Sequence, residues 1–539
     1  MALHFASVWE TIADLIPERP ALICGNSTRT WREYDERAAR VASLLDAHGI
    51  GHDAKVGIYL HNSNEYLEAQ YGIFKTRGVP INVNYRYKAD ELVYLLDNAD
   101  AEAVFYQACY AARIWEIRHR LPKVKLYVQV DDGTEALLAD AVDFERAIRD
   151  HAPMARIERS SDETYMLYTG GTTGMPKGVM YTHGQFISVM MGAVASLGLA
   201  VPSSAEDIPT VIETMRAADA FPVSLAACPL MHGTGMWLGS LVPLLQGGTV
   251  VTISKLGLDP HLIWSEVERN RCTGVVIVGD AFAKPMLDAL DDAAKRGFTY
   301  DLSSLQGILS SGVMWSSEIK ERLLEHHDMR LVDAMGSTEG GMGSSVATRD
   351  EHPQTARFQI NPGVRVIADD GRDVVPGSGE VGKLATSGLV PIGYYKDPEK
   401  SAATFQEIDG VRYSFPGDYA TVDADGTITL LGRGSNCINT AGEKVYPEEV
   451  EEAVKLHPSV YDCLVVGLTD DRFGQRVVAV ASKEEREHVD EQGLIDFTRD
   501  HLAGYKLPKQ VLFVDEVRRA PNGKADYKWA RTAAERAFG

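Results

Sequence analysis

Along the first two-thirds of the chain, short apolar runs alternate with segments whose apolar positions recur every three or four residues. The runs at 21–24, 55–60, 79–83, 103–106 and 124–130 have the length of buried strands. Between them, 65–75 and 89–98 carry helical periodicity, and 5–20 predicts an amphipathic helix stopped by Pro20. A second strand is expected to begin at Thr30 and Trp31, followed by a helix through Ala47. The alternation returns at 249–253, 275–278 and 308–312, with helices expected through Leu290, N-capped by Asp280, and over 316–327. Strands separated by helices predict parallel sheets with crossover connections. The polar stretch 202–218 reads as an excursion from the core with the character of a lid.

From residue 363 the texture changes to short strands with tight turns, as at Asp369-Asp370-Gly371 and 423–426, which predict antiparallel hairpins. The stretch 432–436 is the expected linker. Beyond it, helix 447–456, strands 463–468 and 477–481, helix 490–503, strand 511–514 and a tail helix from 526 make a small α+β unit. The expectation is therefore an α/β chain. A large N-terminal domain, residues 1–433, combines two α/β sheets with a β-rich subdomain, and a small mobile α+β C-terminal domain spans 434–539.

At 539 residues the chain exceeds one compact core. Its net charge of -22 argues against non-specific nucleic-acid binding and requires any anionic ligand to find a local positive site. The six cysteines are scattered with no Cys-x-x-Cys pair, which suggests neither a zinc site nor a disulfide framework and fits a reducing cytoplasm. The first residues lack a basic segment followed by an apolar one, so no signal peptide is read. Two stretches without Asp, Glu, Lys or Arg, 186–201 and 221–254, read as domain interior. The first is shorter than the ~20 residues a membrane span needs, and the second is broken by prolines and glycines.

The candidate chemistry centres on Thr169-Gly170-Gly171-Thr172-Thr173-Gly174-Met175-Pro176-Lys177-Gly178, which comes after the apolar run 165–168. Four glycines and three threonines in ten residues supply backbone N–H groups and hydroxyls that can fold around a polyphosphate. Lys177 adds a positive charge. The order is not that of a Walker loop, because Pro176 precedes the lysine and Gly178 succeeds it. Further polar turns come after expected strands, at Ser337-Thr338-Glu339, Gly417-Asp418 and Pro521-Asn522-Gly523-Lys524.

This loop resembles the phosphate loop of the adenylate-forming enzymes: acyl-CoA synthetases, peptide-synthetase adenylation domains and beetle luciferases. The resemblance runs through the other turns in the same order over nearly the whole chain, and it implies a role for each. Thr338 would hold the α-phosphate and Glu339 would bind Mg²⁺. Ala334, Met335, Gly336 and Ser337 would flank the nucleotide, with Met335 where the family has an aromatic residue over adenine. Ser311, Gly312 and Asp333 would form the adenine slot and one wall of the acyl tunnel. Asp418 and Arg433 would take the ribose. Lys524 would join the substrate carboxylate to the α-phosphate, and His232 would gate the reacting carboxyl. Gly442, Glu443 and Lys444 would line the pantetheine tunnel after the small domain turns about Ser435. Met231, Trp237, Asp280 and Gly312 would border the acyl group. Pro416, Ser435 and Asn439 depart from the family pattern.

The resemblance implies ATP, Mg²⁺ and CoA as cosubstrates and cofactor, and a hydrophobic acid as substrate, since 221–254 offers no carboxylate for an amino group. The runs Val278-Gly279-Asp280-Ala281-Phe282 and Pro416-Gly417-Asp418-Tyr419-Ala420 are most similar to actinobacterial acyl-CoA synthetases acting on fatty acids and steroid- or terpenoid-type acids. An enzyme loading a carrier protein, and a non-catalytic nucleotide-binding protein, are the alternatives. The expected partners are the acid and CoA, with no nucleic acid and no transmembrane segment; a homodimer is allowed for.

Overall fold

The computed structural model describes residues 2–170, 175–192, 198–352, 354–440, 443–470, 474–484, 489–520 and 523–539, and leaves the side chain of Ser435 undescribed. The chain is α/β, with a large N-terminal domain and a small C-terminal one. In the large domain, Lys55–Tyr59 lies in a parallel sheet between Val79–Asn82, at one edge, and the central strand Ala101–Gln107, continued by Leu126–Val130 and Val142–Asp143. A second parallel set runs Pro20–Cys24, Thr249–Thr252, Val223–Ala226, Gly274–Ile277, Gly307–Ser311 and Arg330–Ser337 in space. Its last strand turns back into Gly340–Ala347, and from there the sheet continues with antiparallel partners. The change from long crossovers to tight turns after residue 363 has this change of sheet type as its cause.

Several expectations need correction. Trp31 is the first residue of the helix Trp31–Ala47, not a strand residue; Thr30 caps that helix with Glu33 in a capping box. The first helix is Phe5–Leu15, because Pro20 opens a strand rather than closing the helix. The stretch 202–218 is no lid: Ile208–Ala217 is a helix packed on the first helix, with Ile208, Val211, Ile212 and Met215 buried. Gly279, not Asp280, caps Asp280–Lys295, and it does so at φ 54°, a left-handed conformation that suits glycine.

The small domain pairs Val460–Asp470 with Gly474–Lys483 antiparallel and adds Gln510–Val514 in parallel. Pro447–Lys455 and Tyr527–Phe538 pack against this sheet. Among the described residues no helix is long and apolar enough to cross a membrane.

Beneath the first helix, His4 and His183 stack at 3.8 Å between ring centroids, both fully enclosed. Burial holds both imidazoles below their usual pKa, although Glu163 partly offsets this for His4. The folded chain therefore binds fewer protons here than the unfolded one. Stability present above the unfolded value of 6.5 falls as pH drops below it. Denaturant titrations at pH 7, 6 and 5 should show this loss, by at most ~1.4 kcal/mol per pH unit for each histidine. His183→Gln should flatten the slope.

Candidate active site

Three strand connections supply the polar groups. The strand Thr164–Thr169 pairs antiparallel with Lys177–Thr182, Thr169 facing Lys177, so the glycine-rich loop is the connection of a β-ribbon. Thr338 and Glu339 form the turn between Ser337 and Gly340, which are paired across a hairpin. Asp418 opens one strand and faces Arg433, the last residue of the neighbouring strand, placing Arg433 Nε 3.4 Å from Asp418 Oδ1.

Thr169, Ser311, Gly312, Ala334, Met335, Gly336, Ser337 and Thr338 border one cavity of ≈ 410 Å³, together with His232, Trp237 and Lys524. Lys524 comes from the small domain, on a turn closed by Ala520 N donating to Lys524 O at 2.8 Å. Gly523 within that turn sits at φ 70° against Ala281, where an added Cβ would lie 2.8 Å from the Ala281 Cβ. Lys524 is exposed as a residue, although it borders the cavity and has charged neighbours. Its pKa is held below the usual lysine value by burial and by Arg433, with Glu339 and Asp418 opposing the shift. Burial raises the Asp418 carboxyl, and Arg433 offsets part of the rise.

His232 Nε2 is buried without a hydrogen-bond partner among the described residues, and burial, reinforced by Lys524, lowers its pKa to about 3. It is a neutral imidazole aimed at a pocket that supplies it no protein partner, the environment expected of a group that meets a ligand. After it, Thr234–Leu241 forms a wide π-helical turn. Gly235 permits this, since a Cβ there would sit 2.3 Å from Pro229 O. The turn carries Trp237 into the cavity, where its Nε1 donates to Tyr165 OH at 2.7 Å and its ring meets Phe186 edge-on.

Other expected residues stand elsewhere. Met231 is turned away: its sulfur accepts from Tyr85 N at 3.4 Å, and Asn82 Nδ2 donates to its carbonyl at 2.7 Å. Asp280 does not border this cavity; it accepts from Ser316 N at 2.9 Å in the wide cleft between the domains. Asp333 lies behind the cavity wall, 3.3 Å from Lys320 Nζ, with burial pushing its carboxyl up to about 6. Lys177 Nζ is 3.1 Å from Asp397 Oδ2. The backbone of Gly170 lies beside Tyr87. Glu443 and Lys444 are exposed on a strand edge, Lys444 near the Tyr419 ring. Gly171, Thr172, Thr173, Gly174 and Gly442, and the side chain of Ser435, lie outside the described residues.

Sequence reasoning misses Asn82, which ties the loop at Met231 to Tyr168 O at 2.8 Å. It also misses Phe186, Val189 and Met190, which form the apolar end of the cavity. Their charge-free stretch reads from sequence as general interior; its position one strand after the glycine-rich loop is the signal that could have found them.

Residues 9–395 match the family of AMP-binding enzymes, and residues 449–524 match the C-terminal domain of AMP-binding enzymes. The chain belongs to the AMP-binding enzyme family. It is 41% identical over 545 residues to the 3-oxocholest-4-en-26-oate–CoA ligase of Rhodococcus rhodochrous, covering 98% of this chain and 96% of that protein. It is 40% identical over 546 residues to a medium/long-chain-fatty-acid–CoA/3-oxocholest-4-en-26-oate–CoA ligase of Mycobacterium tuberculosis (strain ATCC 25618 / H37Rv), covering 99% and 97%. The fold is that of the anthranilate CoA ligase AuaEII in complex with anthranoyl-AMP, with a TM-score of 0.85 at 22% identity over 99% and 98% of the two chains.

For an AMP-binding enzyme closed in this way, Gly523→Ala should be strongly unfavourable, since both the left-handed backbone and the contact with Ala281 oppose a methyl group. Strain of ~1–3 kcal/mol predicts a fall in pyrophosphate exchange of about 5- to 150-fold. Exchange rates measured at saturating ATP check this.

Proposed function

We propose that the chain is an acyl-CoA ligase. It would activate a hydrophobic carboxylic acid, medium- or long-chain or bulky and polycyclic, with ATP, and transfer the acyl group to CoA. The observation that carries this reading is the meeting, in one cavity, of the Lys524 ammonium, the Thr338 turn and an apolar end formed by Phe186, Val189 and Trp237. Both the Rhodococcus and the Mycobacterium relatives are CoA ligases for acids of these kinds.

In the first half-reaction a carboxylate oxygen attacks the α-phosphorus of ATP. The new P–O bond replaces the bond to pyrophosphate, which leaves. Lys524 would stand between the two anions and neutralise charge as it develops. Thr338 would orient the α-phosphate, and Asp418 with Arg433 the ribose. The backbone between Ser311 and Gly312 and the Met335 side chain would border the base. Neutral His232 would offer a partner to the carboxyl group without adding a charge.

Among the described residues no cluster of three or more His, Cys, Asp or Glu side chains assembles a metal cage. Glu339, a single hard carboxylate in the Thr338 turn, fits Mg²⁺, which is held by one or two carboxylates and substrate phosphates. The ion when bound would supply charge neutralisation on the phosphates.

In the second half-reaction the CoA sulfur attacks the acyl carbonyl, the C–S bond forms and AMP leaves, with the thiol proton passing to solvent. With Lys524 in the cavity, the arrangement is the one suited to the first step. A turn of residues 434–539 about Ser435 would withdraw Lys524 and bring Gly442, Glu443 and Lys444 to the thiol.

Lys524→Ala is expected to lower pyrophosphate exchange by ~10²–10³-fold while sparing thioester formation from supplied acyl-adenylate. Equal loss of both steps would reject this division. Because Lys524 is held below its ordinary value of 10.5, exchange should fall on the alkaline side before that pH. Lys524→Arg should remove that limb. An AMP-release screen across fatty, aryl and steroid acids, with free CoA or a carrier protein as acceptor, tests the substrate and separates the carrier-loading alternative. Trp237→Ala should shift that screen toward larger acids.

A further inference from the structure

Glu339 is nearly enclosed, at 8% exposure, and each of its oxygens is already held. Tyr394 OH donates to Oε1 at 2.8 Å, and Thr338 Oγ1 donates to Oε2 at 3.0 Å. Tyr181 OH donates to Thr338 O at 2.6 Å, which fixes the turn itself. Tyr394 belongs to the short strand Gly393–Tyr394, which pairs antiparallel with Lys177–Thr182, Tyr394 facing Val179. Ile392 N donates to Met180 O at 2.7 Å and Tyr395 N to Gly178 O at 2.8 Å, so the strand is clamped on both sides of the tyrosine. The Tyr394 ring rests on Phe405 and lies 5.3 Å from the Lys177 ammonium, which Asp397 holds from the other side.

We propose that Tyr394 is a positioning residue for adenylation: its hydroxyl aims the Glu339 carboxylate at the metal while its ring seats Lys177 beside the phosphate loop. This rests on the reading of Glu339 as the metal-binding carboxylate. The chemistry of the partner explains the choice. A lysine or arginine at this position would orient Glu339 but also neutralise it, leaving little charge for a cation. A phenol donates one hydrogen bond and leaves the carboxylate anionic. Fixing the carboxylate before the nucleotide arrives removes side-chain freedom that metal binding would otherwise have to overcome. Because the same ring underlies Lys177, the cation facing the phosphates and the carboxylate facing the metal keep one relative placement.

Tyr394→Phe keeps the ring, and with it the seat of Lys177, and removes only the hydroxyl. The binding of ATP to the full-length protein is measured by calorimetry across a series of Mg²⁺ concentrations. Tyr394→Phe should raise the Mg²⁺ midpoint by about 10-fold, as loss of a metal ligand's hydrogen-bond partner does. The KM for the acid and the rate of thioester formation from supplied acyl-adenylate should not move. Tyr394→His, which restores a ring donor, should recover part of the shift, a result that a purely structural role for the ring would not give. Glu339→Gln separates the role of the tyrosine from that of the carboxylate. If it raises the midpoint and Tyr394→Phe does not, the role of Tyr394 is overturned. If neither variant moves the midpoint, the assignment of Glu339 falls, and the inference with it. A crystal of the wild-type chain with Mn²⁺ and ATP gives a readout independent of any variant. Metal on Glu339, with Tyr394 still bonded to the other oxygen, supports the proposal. A carboxylate that has left Tyr394 to reach the metal overturns it.

Discussion

Four charged groups, Glu339, Asp418, Arg433 and Lys524, lie close enough to act on one another, and the electrostatics of the cleft depend on their balance. Each shifts the titration of at least one of the others. Removing a single member would shift the titration of those that remain. Two members belong to neighbouring strands and are locked in register, one belongs to a hairpin turn, and one is delivered by another domain. The balance is complete only when the domains are docked, so the electrostatics of the cleft and the position of the small domain are one problem.

Around that group the cavity is divided by polarity. Its polar end is made of turns and strand ends, where backbone groups are free to face a ligand. Its apolar end is made of a helix after the phosphate loop and the wide turn that carries Trp237. His232 sits at the junction, neutral and with no partner for its Nε2 among the described residues. A carboxylate at this junction, with an apolar body beyond it, has its charged and uncharged parts each in a matching environment.

Much of the architecture was legible because period and punctuation report it directly: the helix 89–98 coincides with Ala89–Asn98, and the move to hairpins past residue 363 is a real change of sheet type. The turns that bear Thr338, Asp418 and Lys524 were legible for a different reason, since they carry motifs. What was not legible was side-chain direction. Asp333 and Ala334 are neighbours in a strand, so alternation sends one to Lys320 and the other to the cavity, and no motif says which. Asp280 and Met231 sit beside informative residues yet face other surroundings. Tyr394 and Asn82 act through single hydrogen bonds across long sequence separations, which a local reading does not register.

The glycine-rich loop joins two strands, with Thr169 across from Lys177, and among the described residues no helix starts beneath it. No macrodipole of that kind points its positive end at a polyphosphate, in contrast to loops that open a helix. Beyond the loop's own N–H and hydroxyl donors, attraction for such an anion comes from discrete cations, on a chain whose overall charge is -22. Nucleotide capture by this protein is accordingly a short-range affair. It should gain little from long-range steering, and contacts this close are screened by salt less than charges more than a Debye length apart.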